Sequence, residues 1–256
     1  NNQARLILPF TPNTKYIQNN PQVYLPVSSE PTIIKNLAKS ILKKHANHNV
    51  VLLTNGSEKE KYLLDLFKET YNEFSIDFPG ARVLSEASIG GSSGRDFATK
   101  IIRKDTNIII SLSSDRTNAS KVMTTLNKVK NKSGGYDDAH IEVYGMSSWE
   151  KYKEIKIPYK LKLNLHIPVS YHLDYESKKY NDLVKSYRVK FKTDPNRDAV
   201  HSFDVAYHFL SNHFLQLNHS SVMNNFSMTQ IGQEHGYEND NLFILQYQDY
   251  QKILAE

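Results

Sequence analysis

Three short stretches of this chain carry the side chains best suited to holding a ligand. Thr54-Asn55-Gly56 supplies a hydroxyl and an amide. Ser111-Leu112-Ser113-Ser114-Asp115 adds three hydroxyls and a carboxylate, and Tyr144-Gly145-Met146-Ser147-Ser148-Trp149 ends on the single tryptophan. Each stretch follows an apolar run that reads as a strand. In an open α/β sheet all three therefore converge on the rim at the carboxyl ends of the strands, where such folds bind ligands. Hydroxyls, amides and the N–H groups of helix N-termini there could hold a carboxylate or an amide. The candidate ligand contacts are Thr54, Asn55, Ser111, Ser113, Ser114, Tyr144, Ser147, Ser148 and Trp149. Ser57, Ser114 and Ser148 read equally well as helix caps, and Trp149 reads as either a cleft residue or a hydrophobic plug.

Other chemistry is harder to place. The stretch HSFDVAYHFLSNHF puts His201, Asp204 and His208 on one helical face by three- and four-residue steps. It has no H-E-x-x-H motif, and Phe203, Ala206 and Phe209 give it the pattern of an ordinary amphipathic helix, so no metal site is expected. The chain has no cysteine, which excludes a disulfide, a thiolate nucleophile and cysteine-ligated zinc. Asp137 and Asp138 are adjacent in a glycine-rich turn and point different ways, which suits no acid–base pair. G-x-S-x-G is absent and no Ser-His-Asp set is identifiable. The stretch GGSSG (90–94) lacks the lysine and spacing of a P-loop and reads as a connector between a strand and a helix. No catalytic residue and no cofactor are expected; an enzyme on a doubly wound sheet is the least favoured reading.

The elements that must position the rim are legible as alternating patterns. Near-continuous apolar runs at 4–10, 49–55, 107–113, 140–145 and 161–169 read as parallel strands covered on both faces. Helical spacing appears at 30–45 (Ile33, Leu37, Ile41), 57–74 (Leu63, Phe67, Tyr71) and 118–131 (Val122, Leu126, Val129). Further strand and helix patterns fall at 81–87 and 95–104. Ser57 with Glu60 predicts a capping box, and Ser29 precedes an acidic residue and a proline in a helix's opening turn. This alternation implies βαβ units with right-handed crossovers. After residue 170 come two helices joined by KTDPNRD, and then 239–253 as an edge strand or hairpin.

Composition narrows the class further. With 39% hydrophobic and 23% charged residues, the chain is globular. No apolar run approaches a membrane span. The formal charge of +5 favours weak attraction to anionic polymers or surfaces, and no motif for nucleic acid accompanies it.

The segments in order resemble the type I periplasmic binding proteins of the leucine/isoleucine/valine-binding class. They also resemble that class's divergent relatives near peptidoglycan, the penicillin-binding protein activator lipoproteins and the LysM-linked members of Bacteroidetes. The resemblance runs through LILPFTP, NNPQVYLPVSS, LAKSILKKHANHNVVLLTN, NIIISLSSDRTNASKVMTTL, IEVYGMSSWEKY, YNDLVKSYRVKFKTDPNRDAVHSFDVAYHFL and GYENDNLFILQYQDY. It implies a three-layer, Rossmann-like, mainly parallel α/β sheet. Residues 26–168 with 232–256 would form one nearly complete lobe, and 1–25 with 169–231 a remnant of the other, with hinges near Val27, Pro168 and Ile231. It also implies a non-catalytic binding module of the periplasm or outer membrane, whose signal or lipid anchor lies outside this chain. The ligand would be a small polar molecule: an amino acid, a peptide or a muropeptide. The alternative is a scaffold or regulator of envelope assembly whose partner is a protein.

Overall fold

The computed structural model describes residues 4–89, 95–131, 135–211 and 221–255; the GGSSG stretch lies outside them. The chain separates into two units, Asn1–Ile33 with Ser170–Leu242 and Ile34–Val169 with Phe243–Glu256.

The second unit is built on a seven-stranded sheet. Its strands are β3 (Asn49–Thr54), β4 (Ser85–Ser88), β5 (Thr106–Ser111), β6 (His140–Tyr144), β7 (Leu165–Val169), β10 (Phe243–Gln248) and β11 (Gln251–Leu254). They lie in the order β11-β10-β7-β6-β5-β3-β4. Pairing is parallel from β7 through β4, and antiparallel at β10 with both β7 and β11. Val50–Leu53 and Ile108–Ile110 are at most 1% exposed. Both sheet faces are therefore covered, which is why these strands read as unbroken apolar runs.

Amphipathic helices supply the covering layers. Helix α1 (Glu30–His45) buries Ile34, Leu37, Ala38, Ile41 and Leu42, α2 (Glu58–Ser75) buries Leu63, Leu64, Phe67 and Tyr71, and α4 (Arg116–Val129) buries Ala119, Val122, Met123 and Leu126. The stripe of α1 is centred one residue later than the sequence pattern placed it, leaving Ile33 half-buried.

Taken in chain order, the five parallel strands have the arrangement 2-1-3-4-5, with β3 first and β4 second. The strand order reverses between β3 and β5, and ligands of doubly wound sheets bind in the crevice outside that reversal.

Several expected elements are shorter than their sequence patterns, the 4–10 run reduced to Leu6–Ile7 among them, and two show why. The 161–169 run splits: its first residues end the short helix α5 (Ile157–Lys162), and the chain turns through Asn164 at φ 45° before β7. The 95–104 helix stops after one turn, α3 (Arg95–Ala98). Asn107 accounts for the second difference. Its amide accepts from Ile102 N at 2.8 Å and donates to Ile102 O at 2.9 Å, so a side chain takes the hydrogen bonds that a longer helix would need.

The first unit holds a four-stranded sheet in the order β1-β2-β9-β8, from Leu6–Ile7, Val23–Leu25, Tyr237–Asn239 and Met228–Gln230. A short 3-10 helix, Thr14–Ile17, packs Ile17 against Val23 and Leu25. Gly236 is required beside it, because a Cβ there would meet Val23 O at 2.3 Å. Helices α6 (Lys178–Phe191) and α7 (Arg197–Leu210) are joined through Lys192 at φ 59° and the N-cap Asn196. They share a cluster of Leu173, Val200 and Met223, flanked by Tyr180 and Leu183.

Candidate functional site

The rim of the second unit forms where β3, β5 and β6 end. Leu53 pairs with Ser111, and Ile110 with Tyr144, so the three loops leave the sheet at one level. Asn55 and Ser113 meet across the strand-order reversal, with Asn55 Nδ2 donating to Ser113 Oγ at 3.1 Å. Asn55 is used fully: its Oδ1 accepts from Ser57 N at 3.0 Å, and its own N–H is donated to Glu60 Oε2 at 3.3 Å.

That last bond corrects the expected capping box. Ser57 does cap α2, accepting from Glu60 N at 3.3 Å. Glu60, however, reaches past Ser57 to Asn55. At 3% exposure, the Glu60 carboxyl is desolvated, and burial pushes its pKa up to about 6 against the lowering effect of the Asn55 N–H. Sequence reasoning placed Glu60 only as a cap. Its position one turn into the helix that follows a rim loop was the available signal.

The neighbouring helix start is also occupied. Asp115 caps α4, its Oδ1 accepting from Asn118 N at 2.8 Å. Arg116, the cation nearest these loops in sequence, points outward into an exposed pair with Glu154 at 3.3 Å.

Trp149 is 0% exposed. It sits in a 3-10 helix, Ser147–Lys151, and donates its indole N–H to Ser113 O at 2.7 Å. Its ring lies against Gly145, where a Cβ would come within 2.5 Å of Trp149 Cε3. The glycine before the tryptophan is thus a packing requirement, one that the sequence pattern did not reveal. Tyr152 adds a second tie from the same segment by donating its hydroxyl to Ser114 O.

The remaining candidates divide in two. Thr54 is half-buried and accepts from Gly56 N at 3.1 Å, and Ser147 is exposed. Among the described residues, the buried hydroxyls of Ser111 and Ser148 make no hydrogen bond. Tyr144 points away from the rim group. It stacks on His166 with ring centroids 4.5 Å apart, and its hydroxyl lies 3.2 Å from His45 Nε2. Burial and the nearby Glu142 carboxylate hold its phenol well above the ordinary tyrosine range. Burial lowers both imidazoles against the opposing pull of Glu142, with His166 down to about 4.

The histidine-containing face of α7 has a different use. Asp204 is fully buried and accepts from Val222 N, Met223 N and Asn224 N at 2.8–3.0 Å. His201 bonds Pro9 O through Nε2 at 2.6 Å and Asn224 Oδ1 through Nδ1 at 3.2 Å. These groups pin the 222–224 segment to the helix. Among the described residues, no group of three or more His, Cys, Asp or Glu is placed to hold a metal ion.

The sheet order, the antiparallel closing hairpin and the flanking helices define the fold of the type I periplasmic binding proteins. Solved structures share it. A protein from Rhodospirillum rubrum described as a branched-chain amino acid ABC transporter superposes with a TM-score of 0.64 at 12% identity, over 98% of this chain and 72% of that one. LpoA from Haemophilus influenzae gives 0.53 at 10% identity, over 92% and 41%. The substrate-binding protein LivJ from Streptococcus pneumoniae, solved with isoleucine, gives 0.51 at 14% identity, over 98% and 73%. No family model matches the chain, and no curated protein matches it.

Proposed function

We propose that this chain is a non-catalytic binding module of the cell envelope whose target is a macromolecular partner, and that its rim does not capture a free amino acid. One observation carries this reading. Both helix N-termini that open onto the rim already hold the chain's own groups, Ser57 with the buried Glu60 at α2 and Asp115 at α4. A ligand carboxylate would meet two acidic side chains where a binding site needs unpaired N–H groups or a cation. The Asn55–Ser113 bond spans the crevice, and Trp149 fills the space beside it. The envelope location and the role as a scaffold or regulator of envelope assembly draw on the likeness to LpoA, whose C-domain is described as a regulator of PBP1A. In this reading the second unit is the nearly complete lobe, and the first belongs to its partner lobe.

Solute capture is the second reading, and the buried Glu60 carboxyl favours it. A carboxyl poised there would suit a ligand bearing an ammonium or amide, and LivJ was solved with such an amino acid. Thermal unfolding against free amino acids, short peptides and muropeptides separates the two. A ligand that binds the native state raises the melting temperature in a saturable way. The partner reading expects no such rise.

A further inference from the structure

Most of the positive charge of the first unit is gathered on one helix. Residues 178–192 hold six lysine and arginine side chains against a single acid, Asp182, a net of +5. The rest of that unit holds three basic and nine acidic residues, a net of −6. A lysine-rich surface that merely keeps a protein soluble has no reason to be segregated in this way.

The helix is also firmly seated. Val184 is buried, and Tyr180 and Leu183 pack on the Leu173, Val200 and Met223 cluster, so the apolar face of α6 is used within its own unit. Lys178 and Lys185 follow one another at a seven-residue step along the outward face, about 10 Å apart at helical rise. Lys192 follows just past the helix end, so the basic residues span the helix's length of about 21 Å. Lys179 and Lys190 lie farther round the same helix, and all five are exposed. Lys178 pairs with Asp182, and Arg188 with Asp194. At the two ends of the row stand exposed aromatic rings, Tyr175 at 62% and Phe191 at 53% exposure.

We infer that α6 is a docking surface for a linear acidic polysaccharide. The row of lysines asks for a ligand that repeats a negative charge over about 20 Å. The rings at its ends offer flat apolar faces suited to the C–H faces of pyranose sugars. A bilayer surface fits less well. Helices that lie in a membrane interface insert a broad apolar face, and here that face is packed inside the unit, with only Val189 apolar at the outward pole. This inference uses the first unit alone and stands apart from the rim of the second.

The test is binding of polygalacturonate to the intact chain, measured by calorimetry. Affinity should fall about tenfold or more as sodium chloride rises from about 50 to about 200 mM. The variant Lys179→Gln/Lys185→Gln/Lys190→Gln/Lys192→Gln should weaken binding about tenfold or more at low salt, with an unchanged far-UV spectrum and melting temperature. Exchanging four exposed lysines of the other unit, Lys35, Lys61, Lys121 and Lys153, for glutamine should leave binding intact. Tyr175→Ala and Phe191→Ala should each weaken polygalacturonate while hardly changing any residual binding of poly-L-glutamate, which has the charge but no sugar rings. Equal loss from both lysine variants would overturn the proposal. So would tighter binding to poly-L-glutamate, to single-stranded DNA or to anionic phosphatidylglycerol vesicles, or no binding of polygalacturonate at low salt.

Discussion

The indole N–H of Trp149 is donated to the main-chain oxygen of Ser113 at 2.7 Å, which ties the segment after β6 to the loop after β5. The same ring covers Gly145, so one side chain fixes the spacing of two of the three rim loops. Trp149→Ala should therefore cost about 3 to 5 kcal/mol by chemical denaturation, the range for emptying a packed aromatic site. Gly145→Ala should cost about 1 to 3 kcal/mol through overpacking. In the Trp149→Ala background that second cost should largely disappear, because the clash partner is gone. Independent, additive losses would contradict the contact.

Glu60 should limit stability at neutral pH. Its folded pKa, about 6, lies above the ordinary value of 4.5, so the folded state holds the proton more tightly than the unfolded one. The resulting penalty is full above pH 6 and is relieved as pH falls through that value toward 4.5. Glu60→Gln keeps an acceptor for Asn55 N and removes the charge. It should gain about 2 kcal/mol at about pH 8 and nothing at about pH 4. Denaturant melts at the two pH values check this.

His166 acts with the opposite sign. Its folded pKa, about 4, lies below the ordinary 6.5, so the unfolded chain takes up the proton first. The stabilisation is complete above pH 6.5 and is lost as pH falls toward 4. His166→Phe keeps an aromatic ring on Tyr144 without the titration. Between about pH 7 and about pH 4 its stability relative to the parent should improve by up to about 3 kcal/mol. A pH-independent difference would contradict the assignment.

Asp204→Asn should lose about 3 kcal/mol or more, since a buried carboxylate that accepts several N–H groups is replaced by a group that also donates. Chelator should leave the parent's melting curve unchanged, because these contacts run to main-chain N–H groups. A chelator-sensitive transition would contradict this and point to a metal on this helix.

Much of the fold was legible because buried parallel strands and amphipathic helices leave periodic traces. The runs at Val50–Leu53 and Ile108–Ile110 and the stripe Leu63, Phe67 and Tyr71 are local patterns with local causes. What escaped was decided by single side-chain contacts between residues four or five apart, which no hydrophobic periodicity encodes. Asn107 ended a helix expected to run past Ile102. Glu60 abandoned a capping box for Asn55. Gly145 looked like loop punctuation but makes room for an indole ring. The three rim loops leave the sheet at one level, whereas Tyr144 turns to His45 and His166. A strand's last residue can face either layer, and no spacing rule within one loop decides which.

In the proposed function, the rim is closed to free amino acids by the chain's own Asp115, Glu60 and Asn55–Ser113 contacts. Thermal unfolding of the intact chain in the presence of leucine, isoleucine, short peptides and muropeptides tests it most directly. The expected result is no saturable rise in melting temperature with any of them. A saturable rise that Ser113→Ala abolishes would contradict the account and make the rim a solute site.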